Sequence, residues 1–319
     1  MKASAKRYRS RRCSFLHGWI RVSVGFLVCF YLSHTANGQQ DWLMTLNQFN
    51  LYGMNDGFAG ASEGLNATVR LREQWIGFEG RPSTQYLSVH SPLWKQTGIG
   101  GLVYYDRLGA RSRTAAKLSL SGEVATAFAK LRFGLGAKYF YQSYNSAKLT
   151  SREAEPEPVS SPVNGGGVAL SAGLMLVANN WYLGIQGENL NSPHLGGSVG
   201  GYKQLAEIRA IGAYIFSVAD EVAIKPNVAA RIVPKGTKHV DVGVSALVYN
   251  RLWIGGGYRS TSTAFAIVQF RFNESFQIGY AYDYTLSPLA TYESGSHEVF
   301  LSLLVRKKKK LDTSIRYFE

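Results

Sequence analysis

The sequence predicts an all-β protein, a transmembrane outer-membrane β-barrel of about 14 antiparallel strands, on three observations. The chain opens on an export-type leader that contains its only two cysteines, and it is rich in tyrosine and glycine, with 19 and 34 residues. Strand-length segments then alternate apolar and polar residues with a period of two, the spacing of side chains on the two faces of a strand. Barrels of this class place aromatics at the membrane interfaces and alternate lipid-facing with lumen-facing positions.

Residues 1–38 have the layout of a secretory signal. MKASAKRYRSRR is basic, WIRVSVGFLVCFYL at 19–32 is apolar except for Arg21, and Ala36 and Gly38 supply small residues ahead of Gln39. A membrane anchor fits less well, because a spanning helix needs about 20 apolar residues. Cys13 and Cys29 lie inside this leader, so the processed chain has neither a disulfide nor a thiol nucleophile. Seven of the 35 Lys and Arg leave with it and no acid does, so 28 basic residues face 21 acidic ones. Much of that excess is one block, RKKKK at 306–310. Nucleic-acid binders spread Lys and Arg over a groove, so no nucleic-acid partner is expected. The longest apolar run after the leader, VALSAGLMLVA at 168–178, is too short for a membrane helix.

Residues 39–64 are expected to plug or brace the barrel, which occupies 65–305. Its strands are placed at 65–73, 84–91, 98–105, 114–122, 130–142, 167–179, 181–189, 205–217, 221–232, 239–249, 251–259, 263–271, 275–283 and 296–305. The alternation is clearest in SFQIGYAYD, where Phe276, Ile278, Tyr280 and Tyr282 oppose Gln277, Gly279, Ala281 and Asp283. In HVDVGVSALV, Val240, Val242, Val244, Ala246 and Val248 oppose Asp241, Gly243, Ser245 and Leu247. The last strand sets Val299, Leu301, Leu303 and Val305 against Glu298, Phe300, Ser302 and Leu304.

Connection lengths separate a barrel from a soluble sandwich. Starting from a periplasmic N-terminus, every second connection should be a tight turn. PLWKQT, the link before Lys130, NW, SVAD, NR and NES form the tight set. QWIGFEGRPS, DRLGARSR, the stretch containing SREAEPEPVSSP (151–162), NLNSPHLGGSVGGYKQ and YTLSPLATYESGS form the long one, with PKGTKH and STST as short members. The acidic, proline-rich 151–162 reads as a flexible loop. Pro226 is a misfit inside its strand, since proline removes a ladder bond; a bulge, or a strand starting at Asn227, would accommodate it. Residues 306–319 form a basic periplasmic tail.

No enzymatic constellation emerges. Ser88 and His90 share a strand face, and GSHE brings Ser296, His297 and Glu298 together, but adjacent strand residues point to opposite sides. A Ser-His-carboxylate site needs all three groups within hydrogen-bond reach. His90, His194, His239 and His297 show no metal-ligand spacing. GLGAKYF at 134–140 precedes no helix, so it is not a nucleotide loop. The expectation is a non-enzyme with no catalytic site, cofactor or metal.

REQWIGFEGRPSTQYLSVHSPL resembles the signature hairpin of the PorP/SprF family of the type IX secretion system of Bacteroidota, R-x-Q-W-x-G-x-x-G-x-P-x-T followed by S-x-H-x-P. Arg72, Gln74, Trp75, Gly77, Gly80, Pro82, Thr84, Ser88, His90 and Pro92 carry the match. GMNDGFAG (53–60) is similar to the family's N-P-A-Y-A-G segment, with Asp56 and Gly57 in place of Pro-Ala. IGYAYDYTLSPL with YESGSHEVFLSL is similar to its YDY and GSHE pair, which adds Asp283, Gly295, Ser296, His297 and Glu298, and IRYFE to its R-Y-F ending.

The resemblance implies a non-enzymatic barrel that supports secretion or surface attachment of cargo proteins, including gliding adhesins in motile relatives. It would lie among outer-membrane lipids and contact periplasmic components of the machinery. Lys307, Lys308, Lys309 and Lys310 would bind an acidic periplasmic partner, or only solvate the chain's end or touch headgroups. Trp75 would anchor cargo at the exterior mouth, or fill a structural place, which is favoured. The alternative function is an outer-membrane diffusion channel or hydrophobic-solute transporter.

Overall fold

The structure, a computed structural model, describes residues 44–145, 164–195, 202–234 and 236–306. Strands β1 (Gly64–Glu73), β2 (Ser83–Trp94), β3 (Thr97–Leu108), β4 (Arg111–Ala125), β5 (Lys130–Tyr144), β6 (Gly165–Val177) and β7 (Trp181–Glu188) pair antiparallel in chain order. A small ribbon, β8 (His194–Leu195) with β9 (Tyr202–Lys203), interrupts the next connection. The wall resumes with β10 (Glu207–Tyr214), β11 (Phe216–Ala219), β12 (Val222–Ile232), β13 (Lys238–Val248), β14 (Leu252–Arg259), β15 (Thr263–Arg271), β16 (Phe276–Thr285) and β17 (Ser296–Arg306). β10 and β11 are two halves of one crossing, which makes fourteen crossings. β17 pairs with β1 from Gly64↔Arg306 to Glu73↔His297, and β10 pairs with β7 and β12, so the sheet closes. Closure satisfies the backbone without edges, the condition for spanning lipid with strands.

Every second connection, at 95–96, 126–129, 178–180, 220–221, 249–251 and 272–275, has two to four residues. The long ones, 74–82, 145–164, 189–206 and 286–295, are all at the other mouth. The link between β3 and β4 departs from expectation. DRLGARSR was read as a loop, but β3 runs on to Leu108 and β4 starts at Arg111, leaving only Gly109 (φ 56°) and Ala110. The stretch read as a loop includes two lumen-facing strand residues, Asp106 and Arg113, both buried.

Pro226 also needs a correction, because β12 runs through it without a bulge in its pairing with β13. It is the neighbouring strand that yields. The β10–β12 register stops at Ala213↔Asn227 and the β11–β12 register starts at Phe216↔Ile224. The pairing therefore lapses opposite Pro226, and Ile215 N–H donates instead to Asn180 O at 2.7 Å.

The alternation sorts the faces as lipid demands. Leu65, Val69 and Leu71 of β1 are exposed outward, whereas Asn66, Thr68, Arg70 and Arg72 are buried inward. Their burial comes from a strap of chain, residues 44–62, that lies in the lumen: Met44, Leu46, Phe49, Leu51, Tyr52, Phe58 and Ala59 are all buried. The strap contains two 3-10 turns, Leu46–Phe49 and Asp56–Phe58. It runs so close to the wall at Gly134 that a Cβ there would stand 2.3 Å from the Asp56 carbonyl carbon.

Candidate functional site: the strap and its buried ion pairs

Near the mouth with the long connections, alternation aims Arg70 and Arg72 of β1, Arg259 of β14, Asp283 of β16 and Glu298 of β17 into the lumen. Arg72 Nη2 lies 2.7 Å from Asp283 Oδ2, and its Nη1 lies 3.1 Å from Glu298 Oε2. Arg259 bridges Asp283 at 3.0 Å and Asp241 at 2.9 Å, while Arg70 stands 3.7 Å from Glu298. The strap completes this network. Thr45 N–H donates to Glu298 Oε2 at 2.6 Å, Leu46 N–H to Glu298 Oε1 at 3.2 Å and Thr45 Oγ1 to Asp283 Oδ1 at 2.8 Å. Arg70 Nη2 donates in turn to Leu46 O at 3.0 Å. Desolvated charges hold only when paired and hydrogen-bonded, and the strap's backbone fills positions that water would otherwise take. Because β1 and β17 are the first and last strands, the same ion pairs span the seam that closes the barrel.

Further along the strap, Lys225 is fully buried with no hydrogen-bond partner for its Nζ, which lies 4.3 Å from the Trp253 ring centroid and 4.8 Å from that of Phe49. Phe49 also stacks on Phe300 at 5.8 Å. Cation–π attraction thus replaces a hydrogen bond at this point of the strap.

Beyond it in the chain, the substituted N-P-A-Y-A-G positions meet the wall. Asp56 accepts from Ser119 Oγ (2.7 Å), Ser171 Oγ and Gln186 Nε2 (each 2.6 Å) and pairs with Lys117 Nζ at 2.7 Å. Lys117 also pairs with Glu188 at 2.6 Å. Asn55 caps the second 3-10 turn by accepting from Gly57 N–H at 2.8 Å. A carboxylate here meets a ready cation, which a proline could not; Arg132 Nε donates to Gly57 O at 2.7 Å, and a Cβ on Gly57 would stand 3.2 Å from the Arg132 carbonyl oxygen.

The fit is tight on these flanks and looser against β10, β12 and β13. There the strap leaves cavities of about 30 and 20 Å³, the larger lined by Met44, Asn47, Met54, Arg209, Arg231, His239 and others. Such spaces have room for about one or two waters. Among the described residues no cluster of three His, Cys, Asp or Glu could hold a metal ion.

The motif residues of the sequence analysis fall into separate places. Arg72, Asp283 and Glu298 meet in the ion-pair network. Ser88 and His90 lie lower, on one face, and both serve the strap: Ser88 Oγ accepts from Asn50 Nδ2 at 2.8 Å and His90 Nδ1 from Gly60 N–H at 3.1 Å. Thr84 donates to Asp106 Oδ1 at 2.7 Å. Gln74, Trp75, Gly77, Gly80 and Pro82 form the connection 74–82, which is clipped to 286–295 by Ile76 N–H to Gly295 O (2.9 Å) and Ser294 N–H to Ile76 O (2.8 Å). Trp75, at φ 54°, is half-buried, and its N–H donates to Ser296 Oγ at 3.2 Å. Gly295 has φ 87° and no room for a Cβ beside the Tyr282 ring. His297 points outward and meets Tyr280 OH at 2.7 Å. Pro92 sits at a register shift in the β2–β3 pairing. Lys307, Lys308, Lys309 and Lys310 lie outside the described residues, as do the leader, 151–162 and IRYFE.

Sequence reasoning missed Thr45, Arg70, Lys117, Glu188, Lys225 and Arg259, and it noted Asp56 only as a departure from the family segment. Paired inward charges such as Arg70 and Arg72, two apart on an alternating strand, were the one available signal.

No curated protein matches the chain. Among solved structures, the Ralstonia pickettii toluene transporter TbuX superposes with a TM-score of 0.50 at 9% identity, covering 83% of this chain and 94% of its own. The P. putida toluene transporter TodX gives 0.48 at 10%, covering 83% and 95%, and the Acinetobacter baumannii outer membrane protein Omp33 gives 0.46 at 10%, covering 76% and 99%. At these identities the TbuX likeness speaks for the barrel fold alone. A family model described as "Type IX secretion system membrane protein PorP/SprF" matches residues 36–303, nearly the whole of the strap and barrel. The chain therefore belongs to the PorP/SprF family of type IX secretion system membrane proteins, built as a barrel of the outer membrane.

Proposed function

We propose that this protein is a non-enzymatic scaffold of type IX secretion, a barrel filled by its own strap. It would support secretion or surface attachment of cargo proteins of the gliding-adhesin type and contact periplasmic parts of the machinery. The observation that carries the reading is the occupied lumen, in which Thr45, Asp56 and Gly60 are each hydrogen-bonded to the wall. A bore held this way favours docking at the mouths over solute passage. The clip between 74–82 and 286–295 supports the structural role for Trp75. The basic block Lys307–Lys310 remains a proposed contact for an acidic periplasmic partner, with salt-sensitive affinity.

Two measurements test this together. The purified barrel should be silent in planar bilayers, and a strain lacking it should release or retain cargo abnormally until the gene is restored. A steady open pore from the intact protein, with cargo export unchanged in the deletion strain, would favour the diffusion channel or hydrophobic-solute transporter instead.

A further inference from the structure

We propose that the strap enters this barrel from the cell exterior, so that Met44 lies at the exterior mouth while the end of β17 faces the periplasm. Barrels of the outer membrane keep short turns on the periplasmic side and long connections outside. Here the mouth with connections 74–82 and 286–295 is accordingly the exterior one. The strap begins there. Thr45 and Leu46 are bound by Glu298, Asp283 and Arg72, each within three residues of the exterior end of its strand. Met44 lines a cavity with Arg231 and His239, each one residue from the exterior end of β12 or β13.

The other end of the strap is at the opposite mouth. Asp56 is held by mid-strand Ser119 and Ser171, and the next residue, Gly57, accepts from Arg132, two residues from the first residue of β5, Lys130. Gly60, at φ 61°, is pressed on Ser91 and Gly98, which flank the periplasmic turn 95–96. From there the chain turns into β1. Residues 45–60 reach at most about 50 Å when extended, ample for an apolar band about 25 Å tall.

The parity is decisive. Fourteen crossings bring the start of β1 and the end of β17 to the same face, as the β1–β17 register from Gly64↔Arg306 requires. The strap adds a fifteenth traverse inside the wall, which puts the two ends of the described chain on opposite faces.

Cysteine labelling in intact cells tests this, because the only native cysteines are Cys13 and Cys29. With both replaced by serine, three single-cysteine proteins are compared: Asp41→Cys ahead of the strap, Tyr292→Cys in an exterior connection and Lys95→Cys in a periplasmic turn. A membrane-impermeant maleimide should label Asp41→Cys and Tyr292→Cys alike in intact cells, and Lys95→Cys only after the outer membrane is permeabilised. A second variant, an epitope inserted directly before Met44 in a barrel that stays heat-modifiable, should bind antibody on intact cells. If both the thiol and the epitope respond only after permeabilisation, the strap enters from the periplasm and the proposal is wrong.

Discussion

Glu298 shows how a single side chain ties this molecule together. Its carboxylate is wholly buried and accepts two strap amides as well as the Arg72 guanidinium, so it serves the strap, β1 and β17 at once. Glu298→Gln keeps the shape but removes the charge that balances Arg72 and Arg70. Breaking a buried pair from one side costs about 3–5 kcal/mol, because the other charge stays behind unpaired. The expected outcome is a clear fall in the urea midpoint of the refolded barrel with its strand content kept; an unchanged midpoint would mean that water already serves this site. Arg72, Asp283 and Glu298 were legible before folding because they stand in matching motifs on alternating strands. Thr45 was not, since its partners lie 253 and 238 residues away. Nothing local marks a threonine that completes a carboxylate's coordination from across the chain.

At the scale of elements the strands were largely legible, since lipid on one side and a polar lumen on the other impose the period directly. The errors came where that rule meets another. Asp106 and Arg113 fell in a stretch read as a connection, and charge in sequence does not say whether it faces solvent or a lumen. Pro226 looked like a defect of its own strand, whereas the missing N–H is absorbed by a gap in the neighbour at Tyr214 and Ile215. Pro226→Thr should restore the donor, and its β-branched side chain suits a lipid-facing strand position. One added ladder bond is worth about 1 kcal/mol. Amide exchange at Ile215 and Phe216 should slow relative to the parent barrel. Equal exchange in the two proteins would show that the gap is set by the Asn180 contact rather than by the proline.

For the whole molecule, the number of strands explains why a strap is needed at all. Eight strands leave an interior that side chains alone can fill, and sixteen to eighteen leave a water channel. Fourteen lie between: too wide to be filled from the wall, and narrow enough for one folded strand of chain to fill. That 39–64 would plug or brace the barrel was an expectation from its place ahead of the first strand; the contacts of the strap were not legible, because they are made to many strands far away in the chain. Excising residues 44–62 should therefore convert a silent barrel into a conducting one. The exposed lumen would carry Arg70, Arg72, Arg113, Lys117, Arg132, Lys138, Arg209, Lys225, Arg231 and Arg259 against Asp106, Glu188, Glu207, Asp241, Asp283 and Glu298, all buried or nearly so in the intact protein. An excess of basic side chains around a wet pore favours anions, so the open state should pass chloride in preference to potassium, with selectivity falling as salt is raised. If the excised barrel folds and stays silent, its exterior connections rather than the strap close the bore.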